Sequence, residues 1–201
     1  MSEFWNAKFE RNDYFYGTRP NQYIKQQSTL LKHGSAIACL GEGEGRNAVY
    51  LARRGHDVVA LDSSDVGLQK ACELALVHDV VIQTLCLDLS EWHPCEHVYD
   101  GVVTSFCHLS EPLRTHVWER VASSLVTGGY FIGEFFSHRQ LEFQSGGPKD
   151  PALLYELEEV RSLVKRLRFE VIELEETVVF LDEGVGHQGD ASVIRMTLKK
   201  I

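Results

Sequence analysis

Short apolar runs alternate with amphipathic stretches along most of this chain, and that alternation limits the fold more than any other feature. The runs are 36–40, 58–61, 80–87, 100–106 and 130–136. Between them, Ala48, Val49, Leu51 and Ala52 recur at helical spacing, 66–77 is apolar on one side, and Leu113, Val117, Val121 and Leu125 form a stripe behind Pro112. Short, nearly continuous apolar strands are expected in a parallel sheet that is covered on both faces. Strand–helix repetition therefore predicts a doubly wound, Rossmann-like α/β fold with helices on both faces.

Gly128-Gly129 is expected to end the helix after Pro112, and Asp150-Pro151 to start another that runs through Leu153, Leu157, Val160 and Val164. Segments 169–181 and 192–198 are β-rich and predict a terminal antiparallel hairpin. The 35 residues before the first strand carry two helical segments, near 3–10 and 21–32. The 201 residues suit one domain, 1–201, with 1–35 as a helical segment in front of the sheet.

Charge and composition narrow the partners. A formal net charge of −9 repels phosphate backbones, so nucleic acid is not an expected partner. No stretch has the length and apolarity of a membrane span, and 1–11 lacks a signal-peptide core, so the cytoplasm is the expected location. The five cysteines include no C-x-x-C pair and read as reduced thiols. His93-Pro94-Cys95-Glu96-His97 has metal-ligand residue types, but Pro94 spoils helical spacing; it reads as a surface loop and no metal is expected. The expected oligomeric state is a monomer or weak homodimer.

In a doubly wound sheet ligands gather at the carboxyl ends of the strands. There the first run is followed by Gly41-Glu42-Gly43-Glu44-Gly45-Arg46-Asn47. The dinucleotide pattern G-x-G-x-x-G would need glycine where Arg46 stands, and Glu42 and Glu44 would repel a pyrophosphate while tolerating a cation. The second run ends at Asp62, suited to ribose hydroxyls, and the third at Asp88-Leu89, suited to an adenine amine. Taken singly, the glycines also suit a plain strand-to-helix turn, and either aspartate a helix cap. Their succession on consecutive strands favours a nucleoside without phosphates.

These residues, with Tyr16-Gly17-Thr18-Arg19-Pro20-Asn21, Ser105-Phe106-Cys107-His108-Leu109, Gly146-Gly147-Pro148 and Glu183-Gly184-Val185-Gly186-His187, give a chain that resembles class I S-adenosylmethionine-dependent methyltransferases. Within them it is similar to the tellurite-resistance and thiol methyltransferase-like group. The resemblance implies a seven-stranded sheet with an antiparallel last strand. It implies S-adenosylmethionine as cofactor, S-adenosylhomocysteine as product, and a small-molecule acceptor, a thiol or a chalcogen oxyanion. It further implies Gly41, Gly43 and Gly45 against the methionine part, Asp62 on the ribose, Asp88 and Leu89 on the adenine, and Tyr16 and Thr18 closing over the cofactor. The family often carries an acid two residues before the first glycine; Cys39 stands there, and Glu42 is the substitute on hand.

The expected cofactor-binding set is thus Tyr16, Thr18, Gly41, Glu42, Gly43, Gly45, Arg46, Asn47, Asp62, Ser63, Asp88, Leu89 and Ser105. His108 and His187 are the candidate proton acceptors or acceptor ligands, each with a structural alternative, a helix cap for His108 and a hairpin residue for His187. Two other functions remain open at this point: a non-catalytic sensor of the cofactor, and an NAD(P)-dependent oxidoreductase.

Overall fold

The computed structural model describes residues 2–201. The strands are β1 (Ala36–Leu40), β2 (Asp57–Asp62), β3 (Gln83–Cys86), β4 (Tyr99–Ser105), β5 (Leu125–Phe136), β6 (Phe169–Glu183) and β7 (His187–Lys200). The helices are α1 (Ser2–Phe9), α2 (Gln22–Gln27), α3 (Arg46–Arg53), α4 (Asp65–Val77), α5 (Glu111–Ser124) and α6 (Leu157–Arg166). One seven-stranded sheet has the order β3-β2-β1-β4-β5-β7-β6, in which only β7 runs antiparallel to its neighbours. The expected doubly wound architecture with an antiparallel last strand is therefore present. Chain order reverses between β1 and β4, which places the switch-point crevice beyond Leu40 and Ser105.

Alternate residues of β1 serve opposite layers. Ala38 and Leu40 join α5 and α6 through Val117, Trp118, Val121 and Val164. Ile37 and Cys39 join α2 and α3 through Tyr23, Ile24, Ala48 and Leu51. Burial on both faces is why β1 reads as an unbroken apolar run. Cys39 is fully buried in the second layer, so a charge there would have no water.

Local chemistry sets the boundaries. Ser64 caps α4 by accepting the Gly67 N–H at 2.9 Å. Asn21 caps α2 by accepting the Ile24 N–H at 3.0 Å. This second N-terminal helix is shorter than expected: it tightens to a 3₁₀ turn at Ser28–Leu30.

Three other expectations need correction. α5 stops at Ser124 rather than at Gly128, because fully buried Leu125 already pairs with Tyr99 in the sheet. The helix expected from Asp150-Pro151 is only a 3₁₀ turn, Pro151–Leu153, capped by Asp150. The chain then extends so that Tyr155 can stack on Phe135 at 4.4 Å, and α6 begins two residues later. β3 covers only 83–86 and is exposed throughout, since a 3₁₀ turn, Leu89–Glu91, replaces a helix between β3 and β4.

Candidate active site

The glycine loop takes its shape from three left-handed residues. Gly41, Gly43 and Gly45 have φ of 61°, 59° and 87°, a region that L side chains rarely occupy. A Cβ on Gly41 would run into the Cys107 side chain, and one on Gly45 would lie 2.5 Å from Ala71 Cβ on α4. Gly45 thus serves the close packing of α3 on α4.

Asp62 braces this loop. Its Oδ2 accepts the Gly43 N–H at 2.8 Å and its Oδ1 accepts the Ser64 N–H at 2.8 Å, so one carboxylate fixes the loop and the start of α4. Burial pushes its pKa up, against the pull of these N–H donors. Asp88 lies nearer the mouth, where its Oδ1 accepts the Ser90 N–H at 2.9 Å; that bond holds its carboxyl low.

Glu42 is buried beside the loop. Its Oε1 accepts the N–H groups of Asn47 and Ala48 at 2.8 and 2.7 Å, which are orphan donors of the first turn of α3. Burial nevertheless outweighs them and raises its pKa to about 7. An acid raised on folding stabilises the fold below its ordinary value of 4.5, and that contribution is lost as pH rises through about 7. Glu42→Gln is therefore expected to match the parent at pH 4. At pH 8 it should be more stable by up to about 3 kcal/mol, as urea midpoints at the two pH values would show; equal gaps at both would refute the assignment.

A strap, residues 10–21, crosses above. Glu44 Oε2 accepts the Phe15 N–H at 2.7 Å, and Glu44 pairs with Lys70 of α4. Lys70 Nζ also donates to the carbonyls of Phe9, Arg11 and Asp13. The strap in turn touches the β6–β7 turn: the Gly186 N–H donates to Phe15 O at 3.0 Å, and a Cβ on Gly17 would lie 3.3 Å from Gly184 N.

At the far end of the cleft the β6–β7 turn presents a buried ionic cluster. Arg46 Nη2 lies 2.9 Å from Glu183 Oε2, and His187 Nδ1 lies 3.1 Å from the same oxygen. The other oxygen of Glu183 accepts from Asn21 Nδ2 at 3.0 Å. Burial alone would raise the Glu183 carboxyl, but the Arg46 guanidinium and the His187 contact override it and hold it at about 2. Burial depresses His187, with Glu183 pulling the other way. Rings of Tyr16, Phe106 and Phe136 surround the imidazole at centroid distances of 4.5, 4.5 and 5.1 Å. Phe106 has φ of 54°, uncommon for a bulky side chain, and its ring packs against both His187 and Phe136.

These elements enclose one cleft at the switch point. Of the expected residues, Tyr16, Gly41, Glu42, Gly43, Arg46, Asp62, Ser63, Asp88, Leu89, Ser105, His108 and His187 line it together. Three do not. Thr18 lies in a separate depression behind the strap. Gly45 faces α4. Asn47 sits behind the wall, accepting the Asn21 N–H at 2.9 Å and donating to Ser105 Oγ at 2.9 Å, so it braces strap and β4.

His108 is in the wall but has no nitrogen to spare. Its Nδ1 meets Leu153 O at 2.9 Å, so that nitrogen carries the hydrogen, and its Nε2 accepts the Phe136 N–H at 3.4 Å. Burial lowers its pKa to about 4. The expected role as proton acceptor gives way to one of fixing the loop after β4.

Sequence reasoning missed Trp5 and Phe9, which line the cleft from α1, and Glu183 as the partner of Arg46 and His187. The aromatics at i and i+4 on a helix and the Glu-x-x-x-His spacing are the signals that pointed to them.

Residues 37–129 match the family model of a methyltransferase domain. No curated protein matches the chain in sequence. Among solved structures, one from work on the conversion of a disulfide bond into a thioacetal group during echinomycin biosynthesis has a TM-score of 0.77 at 18% identity, covering 100% of this chain and 91% of that one. TehB from Haemophilus influenzae gives 0.74 at 18% identity, with 100% and 67% covered. A SAM-dependent methyltransferase from Aquifex aeolicus gives 0.71 at 17% identity, with 98% of each chain covered. At such identities the likeness is one of fold. The strand-tip cleft thus lies in a chain that matches a methyltransferase-domain model over 37–129 and shares the fold of SAM-dependent methyltransferases.

Proposed function

We propose that the cleft holds S-adenosylmethionine with its adenosine toward Asp62, Ser63, Asp88 and Leu89 and its methionine part across Gly41 and Gly43, and passes the methyl group to a small-molecule acceptor, a thiol or chalcogen oxyanion, beside His187. The observation that carries this reading is the pairing of two unmet needs within one cleft. Arg46 Nη1 is buried with no hydrogen-bond partner, a seat for a carboxylate. Glu42 is a buried carboxyl whose ionisation a cation would favour. A ligand carrying both a carboxylate and positive charge answers each of them. The cofactor supplies an activated methyl on a sulfonium with a good leaving group. The chain's own residues bind, orient and exclude water: Asp62 holds the glycine loop, Tyr16 and the strap cover it, and Asn47 and Gly45 act from behind the wall.

Calorimetry with S-adenosylhomocysteine tests the reading, with micromolar binding expected and none for NAD(P)H. Asp62→Ala should weaken that binding by about 1–3 kcal/mol, the loss of a buried charged hydrogen-bond partner. Unchanged affinity in the variant, or no heat with folded protein, would refute the placement. Binding without turnover of any thiol, selenite, tellurite or phenol would favour a sensor of the cofactor instead.

A further inference from the structure

We propose that His187, oriented by Glu183, takes the proton from a neutral acceptor with an acidic X–H bond and an apolar body, a thiol or phenol, and that the site favours such acceptors over oxyanions. The inference rests on the methyl-transfer reading above and narrows its acceptor. Glu183 is ionised, and a carboxylate can only accept, so the hydrogen shared at 3.1 Å belongs to His187 Nδ1. The neutral ring then carries its lone pair on Nε2, which has no hydrogen-bond partner among the described residues.

The groups facing this ring come from five elements. Glu183 on β6 favours the imidazolium; Arg46 on α3 and Lys8 on α1 disfavour it; Tyr16 on the strap and His108 after β4 are neutral. His187 therefore rests uncharged, and Glu183 stands ready to stabilise the cation once a proton arrives.

Charge argues against an oxyanion. The guanidinium in the wall, Arg46, is already paired to Glu183, and its remaining nitrogen suits the cofactor carboxylate. Glu42, Asp62 and Asp88 line the same cleft, so an anionic acceptor would meet repulsion. Phe106, Leu109 and Leu113 offer an apolar wall instead.

The step balances. A new bond forms between the acceptor heteroatom and the methyl carbon, and the methyl–sulfonium bond breaks with its electron pair left on sulfur. The acceptor's proton moves to His187 Nε2 and later to water. Glu183 is a positioning residue, since it touches His187 and not the acceptor.

The test compares an alkyl thiol, a phenol, a nitrothiophenol already ionised at neutral pH, selenite and tellurite. His187→Gln should lower kcat/KM for the alkyl thiol and the phenol by about 10²–10⁴-fold, the range for a lost general base. The loss for the pre-ionised nitrothiophenolate should be at least about tenfold smaller, since that acceptor brings no proton to remove. In the parent enzyme, activity on the alkyl thiol should fall on the acid side of the His187 pKa, and activity on the nitrothiophenolate should lack that limb. Imidazole NMR titration of the cofactor-free protein gives a readout apart from turnover: His187 titrates below 6.5, and Glu183→Gln lowers it further. Should either variant fail to fold, the parent's pH profiles and titration decide alone. Preferential turnover of selenite or tellurite, equal losses across acceptors, or matching pH limbs would overturn this inference while leaving methyl transfer intact. Absence of turnover with every acceptor would overturn both, and absence of S-adenosylhomocysteine binding would mark the cofactor reading as the point of failure.

Discussion

Lys70→Met is expected to cost about 3–5 kcal/mol of folding stability, the range seen when one partner of a buried ion pair is removed. Lys70 is 9% exposed and Glu44 4% exposed, so the carboxylate left behind would have neither water nor counter-charge. The carbonyls of Phe9, Arg11 and Asp13 would lose a shared donor at the same time. Methionine keeps most of the lysine stem's volume, which separates charge from packing. Urea midpoints measure the loss, and amide exchange should show it concentrated in the strap. Adding Glu44→Gln should recover part of it, because the stranded charge is then gone. A loss below about 1 kcal/mol, the level of an exposed pair, would show that Lys70 does not hold the strap.

Arg46→Met should be as damaging at neutral pH, and its damage should depend on pH. In the parent, Glu183 sits at about 2 against an ordinary 4.5. An acid lowered on folding stabilises above its unfolded value, and the contribution, about 3 kcal/mol here, is lost as pH falls from about 4.5 to 2. Without Arg46 the sign reverses, since burial then dominates and drives the carboxyl above its usual range. The variant should therefore trail the parent by about 3–5 kcal/mol at pH 7. The gap should shrink toward pH 4 as Glu183 takes a proton. Urea midpoints across this range check it; a gap independent of pH would mean that Arg46 contributes packing and not charge.

The sequence made the sheet legible because β1, β2 and β4 are buried on both faces, where an apolar run has one reading. It made the cleft legible because glycine turns and aspartates at successive strand ends have few other uses in that order. The misjudged elements are those whose fate depends on distant partners. Nothing near Leu125 says that Tyr99 will claim it for the sheet, and nothing near Asp150 says that Tyr155 will be drawn onto Phe135. The roles of His108 and His187 could not be divided by spacing either. They differ in what lies opposite each nitrogen, a pair of backbone groups for one and a carboxylate plus open cleft for the other. Glu183 stayed hidden because it is 137 positions from Arg46 in the chain (183 − 46), and only the hairpin carries it there.

The clasp between the strap and the β6–β7 turn has a consequence for how the protein is made. The glycine loop and Asp62 leave the ribosome well before Glu183 and His187, and Phe15 O and Tyr16 need the later residues to complete their surroundings, Gly186 N–H for the one and the His187 ring for the other. A growing chain thus acquires its glycine loop and Asp62 well before the turn that clasps the strap. Messages broken between the codons for Asp62 and Glu183 would yield polypeptides that keep Gly43 and Asp62 but carry neither Glu183 nor His187.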